Sequence, residues 1–94
     1  MINAAIYGLG RWGERLVESV QGSSENIRFT RAISRSPKQL EPLANRLGLA
    51  TTDDFDRVLS KDDVQAIVLA TPHSLHREQI LRAAQAGKHV LQEV

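Results

Sequence analysis

The feature that most constrains this chain is a glycine triplet placed where the hydrophobic period changes. Gly8-x-Gly10-x-x-Gly13 stands between the short apolar run Ile2 to Tyr7 and a segment with Leu16, Val17 and Val20 at helical spacing. An apolar run that ends in glycine reads as a buried strand, and the following period as a helix, Arg11 to Gln21, laid over it. Gly8 permits the tight turn, Gly10 lets the backbone approach a bound group, and Gly13 allows the helix to pack close on the strand. In such a turn the free amides and the dipole of the helix face an anion such as a pyrophosphate. Leu9, Gly10, Arg11 and Trp12 therefore join Gly8 and Gly13 as candidate binding positions. The spacing alone is a weak signal in a chain with six glycines; its place between strand and helix is what strengthens it. A compact turn that binds nothing is the competing reading, and the Trp12 ring either walls a pocket or packs on a neighbouring loop.

The same rhythm continues along the chain. Ile27 to Ile33 alternates as a second strand, and Ser36-Pro37 opens a helix with proline in its first turn, where no amide donor is needed. Leu40, Leu43, Ala44 and Leu47 form the inward stripe of that helix, and Gly48 ends it. Leu49-Ala50 reads as a very short strand, followed by a short helix, Asp53 to Leu59, capped by Thr52 or Asp53, with Phe55, Val58 and Leu59 on its apolar side. "VQAIVLA", Val64 to Ala70, is nearly continuous in apolar residues, as expected of a parallel strand covered on both faces. Thr71-Pro72 breaks it, and Ser74 caps a helix whose stripe is Leu75, Ile80, Leu81 and Ala84. Gly87 stops that helix before a last strand, His89 to Gln92. Strands alternating with helices predict an open, parallel α/β sheet of the Rossmann type in the order 3-2-1-4-5, with helices on both faces.

Ninety-four residues, 41% of them hydrophobic, suffice for one core, so residues 1–94 are expected to form a single domain with no second domain beside it. The 12 basic and 11 acidic side chains are interspersed, so no block of charge calls for a nucleic-acid or membrane partner. The chain has no cysteine, which excludes disulfides and thiolate metal sites, and the cytoplasm is the expected compartment. The N-terminus lacks the pattern of a signal peptide, and no stretch is long enough to span a membrane.

A dinucleotide-binding fold of this kind expects a carboxylate about 20 residues past the turn, at the end of the second strand, to accept from the ribose 2′-hydroxyl. Here the sequence reads Ile33-Ser34-Arg35-Ser36-Pro37-Lys38. Arg35 and Lys38 bring positive charge, the Arg35 fork can grip a 2′-phosphate, and Ser34 and Ser36 can donate to it. The pattern therefore favours NADP over NAD. The alternative makes Ser36 a helix cap and Arg35 a solvated surface residue.

"IYGLGRWG" and "LATPHSLHREQILRAAQAGKHVLQEV", taken in order, resemble the N-terminal domain of the Gfo/Idh/MocA oxidoreductases, the glucose-fructose oxidoreductase and inositol dehydrogenase group. The resemblance covers essentially the whole chain. It implies that Thr71, Pro72, His73 and His76 lie along the cofactor, with His73 where the family often has asparagine. Read without the family, His73 and His76 are helix-start residues, and no carboxylate or cysteine cluster beside them supports a metal. The family's fifth strand runs into a Glu-Lys-Pro motif whose lysine serves the reaction beside the nicotinamide. Here Glu93 matches the glutamate and implies a place near the nicotinamide ribose, whereas Val94 stands at the lysine position and cannot relay a proton. The implied chemistry is reversible hydride transfer between nicotinamide and a carbinol carbon of a sugar or polyol, with the substrate held by a second α/β domain.

No catalytic residue is therefore assigned within the 94 residues. The expectation is a truncated cofactor-binding domain of an oxidoreductase. The alternatives are a free-standing nucleotide-sensing or interaction module, and a folded remnant that binds nothing, which the intact glycine turn opposes. "HVLQEV" is expected to leave an apolar sheet edge that pairs with another copy, giving a homo-oligomer.

Overall fold

The computed structural model describes residues 2–9, 11–21, 26–70 and 73–92. Nine elements follow in strict alternation: β1 (Ile2–Tyr7), α1 (Arg11–Val20), β2 (Ile27–Ile33), α2 (Pro37–Leu47), β3 (Ala50–Thr52), α3 (Phe55–Leu59), β4 (Ala66–Leu69), α4 (His73–Gln85) and β5 (His89–Gln92). The strands form one sheet in the order β3-β2-β1-β4-β5, as the alternation of periods predicts, and every pairing is parallel.

Two buried clusters sit on opposite faces of that sheet. Ala4, Ile6, Phe29, Ala32, Ala66 and Val68 pack with Val17 of α1 and Ala44 of α2. Ala5, Ile33, Ile67 and Leu69 pack with Phe55, Val58 and Leu59 of α3 and Ala83 of α4. All four β4 residues are buried, which is why its sequence carries no alternation: both its faces are interior. The order of strands leaves β3 and β5 at the edges among the described residues, and Leu91 of β5 is 53% exposed.

One irregularity decides which way β2 points. Ala4 is opposite Phe29 but Ala5 is opposite Arg31, so Thr30 is an extra residue in β2. A bulge of this kind reverses the parity of the strand. Phe29 therefore joins the α1/α2 face while Arg31 and Ile33 turn to the α3 side.

The short β3 reaches only Arg31 to Ile33 of β2, leaving Phe29 without a strand partner on that side. Gln21, just past α1, fills the place of a strand. Its Oε1 accepts from the Phe29 N–H at 3.0 Å, and its Nε2 donates to the Phe29 carbonyl at 3.1 Å and the Leu47 carbonyl at 2.9 Å. One side chain thus ties the ends of α1 and α2 to β2. On the opposite side Lys88 Nζ donates to the carbonyls of Lys61 (2.6 Å) and Val64 (2.5 Å), fixing the start of β5 against the start of β4.

Four local expectations are corrected. β3 begins at Ala50 and runs to Thr52 instead of occupying Leu49-Ala50, and Leu49 is buried in the core. The cap of α3 is Asp54, whose Oδ1 accepts from the Arg57 N–H at 3.0 Å. Thr52 sits one step earlier and accepts from the Asp54 N–H at 3.1 Å, closing the turn that presents the cap. In α4, Gln79 and Ala83 are buried and Ile80 packs beside them, while Leu81 is 55% exposed and Ala84 is also outward. Once Gln79 and Ala83 face the sheet, Leu81 lies roughly 200° around the helix and must face outward. α4 starts at His73, so Ser74 is inside its first turn and not at the cap.

Candidate functional site

The site lies at the carboxyl ends of the strands, where β1 has neighbours that lead away in opposite directions: β2 on one side, β4 on the other. Such a switch point opens a crevice above the sheet. Its floor is stitched by main-chain bonds. Gly8 N–H donates to Ile33 O at 2.9 Å, Ala70 N–H to Tyr7 O at 2.9 Å, and Ser34 N–H to Thr52 O at 2.9 Å. These bonds bring the glycine turn, the start of the 34–38 segment and the end of β4 together.

Gly8 has φ +86°, a left-handed conformation open to glycine at little cost. Gly13 is buried, and a Cβ there would lie 2.9 Å from the Gly8 carbonyl oxygen and 3.1 Å from Ile6 Cδ1. Helix α1 therefore approaches the turn more closely than any other residue type would allow, so its first turn points at the crevice. Leu9 is 7% exposed and anchors the turn in the core, which leaves its backbone rather than its side chain for the crevice. Glu14, in the first turn of α1, is drawn to Arg46 of α2 at 3.0 Å. Arg46 also meets Glu18 at 2.8 Å, and this bond, ahead of the attraction of both carboxylates, raises the Arg46 pKa.

Beyond β2, Ser34 is half-buried while Arg35, Ser36 and Lys38 are exposed. The Ser36 N–H donates to Ser34 Oγ at 3.1 Å, so the Ser34 hydroxyl proton is left to point elsewhere. Ser36 stands at the N-cap of α2, but its side chain makes no capping hydrogen bond, and Pro37 opens the helix. A serine in that place whose hydroxyl is not spent on the helix is open to a ligand. Below the crevice, Tyr7 meets the Phe55 ring edge-on at 4.9 Å, and Arg82 lies 5.0 Å over Phe55 while donating to Asp56. The Asp56 hydrogen bond is the main cause that raises the Arg82 pKa.

Gly10, Thr71, Pro72 and Glu93 lie outside the described residues. Arg11 and Trp12 open α1, and His73 and His76 open α4, each placed by its backbone at the carboxyl side of the sheet. His89 is exposed at the start of β5, at the opposite end of that strand. Among the described residues no group of three or more histidine, cysteine or carboxylate side chains is arranged to hold a metal, and no helix is long and apolar enough to cross a membrane.

A parallel sheet with a positive-φ glycine after β1, a helix pressed onto that turn and a crevice at the switch point defines a dinucleotide-binding α/β domain. The residues present fit the pyrophosphate of such a cofactor, because the contact of Gly13 with the Gly8 carbonyl holds the start of α1 against the turn, the arrangement in which free helix amides face an anion.

The chain belongs to the Gfo/Idh/MocA oxidoreductases: the family model described as an oxidoreductase family with an NAD-binding Rossmann fold matches residues 2–94. It is 32% identical over 91 residues to a 4-carboxy-2-hydroxymuconate-6-semialdehyde dehydrogenase of Sphingobium, covering 96% of this chain and 29% of that protein. It is also 32% identical over 94 residues to a scyllo-inositol 2-dehydrogenase (NADP(+)) of Bacillus subtilis, covering 99% of this chain and 28% of that protein. Among solved structures, a variant of a 3-ketoreductase from Actinomadura kijaniata in complex with TDP-benzene and NADP superposes with a TM-score of 0.90. Its identity is 29%, over 99% of this chain and 30% of that one. A scyllo-inositol dehydrogenase from Lactobacillus casei with bound NAD(H) and scyllo-inositol gives a TM-score of 0.87 at 30% identity, over 98% of this chain and 27% of that one. The chain thus spans under a third of the length of these relatives.

Three cations escaped the sequence reading: Arg31, Arg57 and Lys61, which line a cavity below the edge strand. They stand on β2, on α3 and in the loop after it, and no local pattern joins them.

Proposed function

We propose that these 94 residues hold NADP(H) for an oxidoreductase that moves a hydride between nicotinamide and a sugar-like or polyol-like carbinol. The observation that carries this reading is the glycine turn, with Gly13 buried against the Gly8 carbonyl. The turn and the first amides of α1, Leu9 through Gly13, take the pyrophosphate. Arg35 and Lys38 neutralise the 2′-phosphate, and Ser34 and Ser36 donate to it. What supports NADP over NAD is the lack of any carboxylate between Ile33 and Lys38, together with the free Ser34 hydroxyl proton.

Thr71, Pro72, His73 and His76 are assigned to the flank of the cofactor and Glu93 to the nicotinamide ribose, on the family pattern alone. Bound nicotinamide supplies the hydride acceptor or donor; the residues of this chain bind and orient it. Val94, aliphatic at the motif's lysine position, gives this chain a holding role rather than a proton-relaying one. We further assign it to the cytoplasm, and the β5 edge, with Leu91 outward, to pairing between copies. Light scattering that finds only monomer at high concentration would contradict the pairing.

The test of cofactor choice is calorimetric titration with NADPH and NADH side by side, repeated with Arg35→Ala. Tighter binding of NADPH, with the margin lost in the variant, is expected. Equal binding of the two by the unaltered chain would overturn the preference, and no heat from a folded sample would overturn the cofactor reading itself.

A further inference from the structure

The Thr30 bulge turns Arg31 toward the α3 face, where the sheet edge is only partly covered by a five-residue helix. A cavity of about 240 Å³ opens there, lined among others by Arg31, Thr51, Thr52, Arg57 and Lys61. It is smaller than the roughly 300–1,000 Å³ of a pocket for a drug-sized ligand, too small for a dinucleotide and of a size for one small oxyanion with some hydration. None of its lining residues belongs to the glycine turn or to the 34–38 segment.

The charge in this cavity is unbalanced. Arg31 is paired with Asp63 at 3.3 Å, and that carboxylate is 59% exposed. Among the described residues no carboxylate pairs with the Arg57 guanidinium or the Lys61 ammonium. Arg57 on α3 and Lys61 in the loop after it line the cavity together with Arg31. Arg57 and Lys61 thus add two cations without a carboxylate partner to the Arg31–Asp63 pair, so an anion entering the hollow meets net positive charge. Guanidinium forks match the oxygens of a phosphoryl group, and the hydroxyls of Thr51 and Thr52 can add hydrogen bonds.

We propose that Arg31, Arg57 and Lys61, with Thr51 and Thr52, form a second anion site for a small phosphate dianion, either free phosphate or a phosphomonoester. The site is independent of the cofactor reading. It is tested on the full chain, labelled with nitrogen-15, by titrating inorganic phosphate and then glycerol phosphate at constant ionic strength. The backbone amides of Thr51, Thr52, Arg57 and Lys61 report the site.

Saturable shifts at these amides are expected, weakened at least tenfold in the double variant Arg57→Ala/Lys61→Ala and retained in Arg35→Ala. Arg57 is exposed and Lys61 half-buried, and the dispersion of the variant's spectrum verifies its fold. Tighter binding of glycerol phosphate would name an ester as the ligand, and tighter binding of inorganic phosphate would name the free ion; either supports the site. Shifts that never saturate, that persist in the double variant, or that vanish in Arg35→Ala would overturn it.

Discussion

A Cβ placed on Gly13 would stand 2.9 Å from the carbonyl oxygen of Gly8, closer than real Cβ atoms come to a backbone oxygen. Strand, turn and helix are locked by that approach, so Gly13→Ala must push α1 or the turn aside. Alanine favours a helix interior over glycine by about 1 kcal/mol, but overpacking a tight contact costs about 1–3 kcal/mol. The expected result is a net loss of stability in urea unfolding, together with weaker dinucleotide binding. Gly48→Ala provides the contrast: at φ +76° it strains the end of α2 by about 1–2 kcal/mol, yet nothing lies within 4 Å of its Cβ and binding should be unchanged. A Gly13→Ala chain as stable as the unaltered one would show slack in the contact and contradict this account.

Gln21 is expected to matter more than a half-buried amide near a loop usually does. Gln21→Ala leaves the Phe29 N–H and the carbonyls of Phe29 and Leu47 without their partner, at a cost of about 1–3 kcal/mol. Native-state hydrogen exchange checks it directly: the Phe29 amide should exchange faster in the variant than amides of β4 do. Unchanged protection at Phe29 would remove the strand-like role from Gln21.

Lys88 should act through its charge and not its length. Lys88→Met keeps an unbranched apolar stem but cannot donate to the Lys61 and Val64 carbonyls, and hydrogen bonds from a charged donor contribute about 1.5–3 kcal/mol. Chemical unfolding should register a loss of that order for Lys88→Met and a smaller one for Lys88→Arg. Equal losses would mean that packing, not donation, fixes the start of β5.

The Arg46 pair with Glu14 and Glu18 is exposed and so is screened by salt. Arg46→Gln should lower the Tm slightly at low ionic strength, and the difference should disappear in molar salt. A difference that persists in molar salt would point to packing of the Arg46 stem instead.

The architecture was legible because short apolar runs alternate with helical periods, and Gly8, Gly48 and Gly87 mark turns with positive φ. The glycine turn was legible for the same reason, since its meaning depends on a strand before it and a helix after it. What escaped is tertiary. Asp54 and not Thr52 or Asp53 caps α3 because three successive polar residues offer the same chemistry, and only the chain path chooses among them. In α4, Gln79 took a core place while Leu81 went outward, a choice set by how α4 docks on β4 and β5 rather than by hydrophobicity along the helix. The bulge at Thr30 was invisible too: alternation through Ile27 to Ile33 gives no sign that Phe29 and Arg31 part to opposite faces. That bulge is also why the basic cavity could not be foreseen.

The central claim is that the glycine turn and the 34–38 segment form one working cofactor cradle. The most direct measurement is a two-dimensional amide spectrum of the chain during titration with NADPH. The account predicts saturable shifts clustered at Gly8, Leu9, Gly13, Ser34 and Arg35, with the amides of Gln65 and His89, at the opposite end of the sheet, unmoved. Shifts spread without regard to the crevice, or a spectrum unchanged at saturating NADPH, would contradict it.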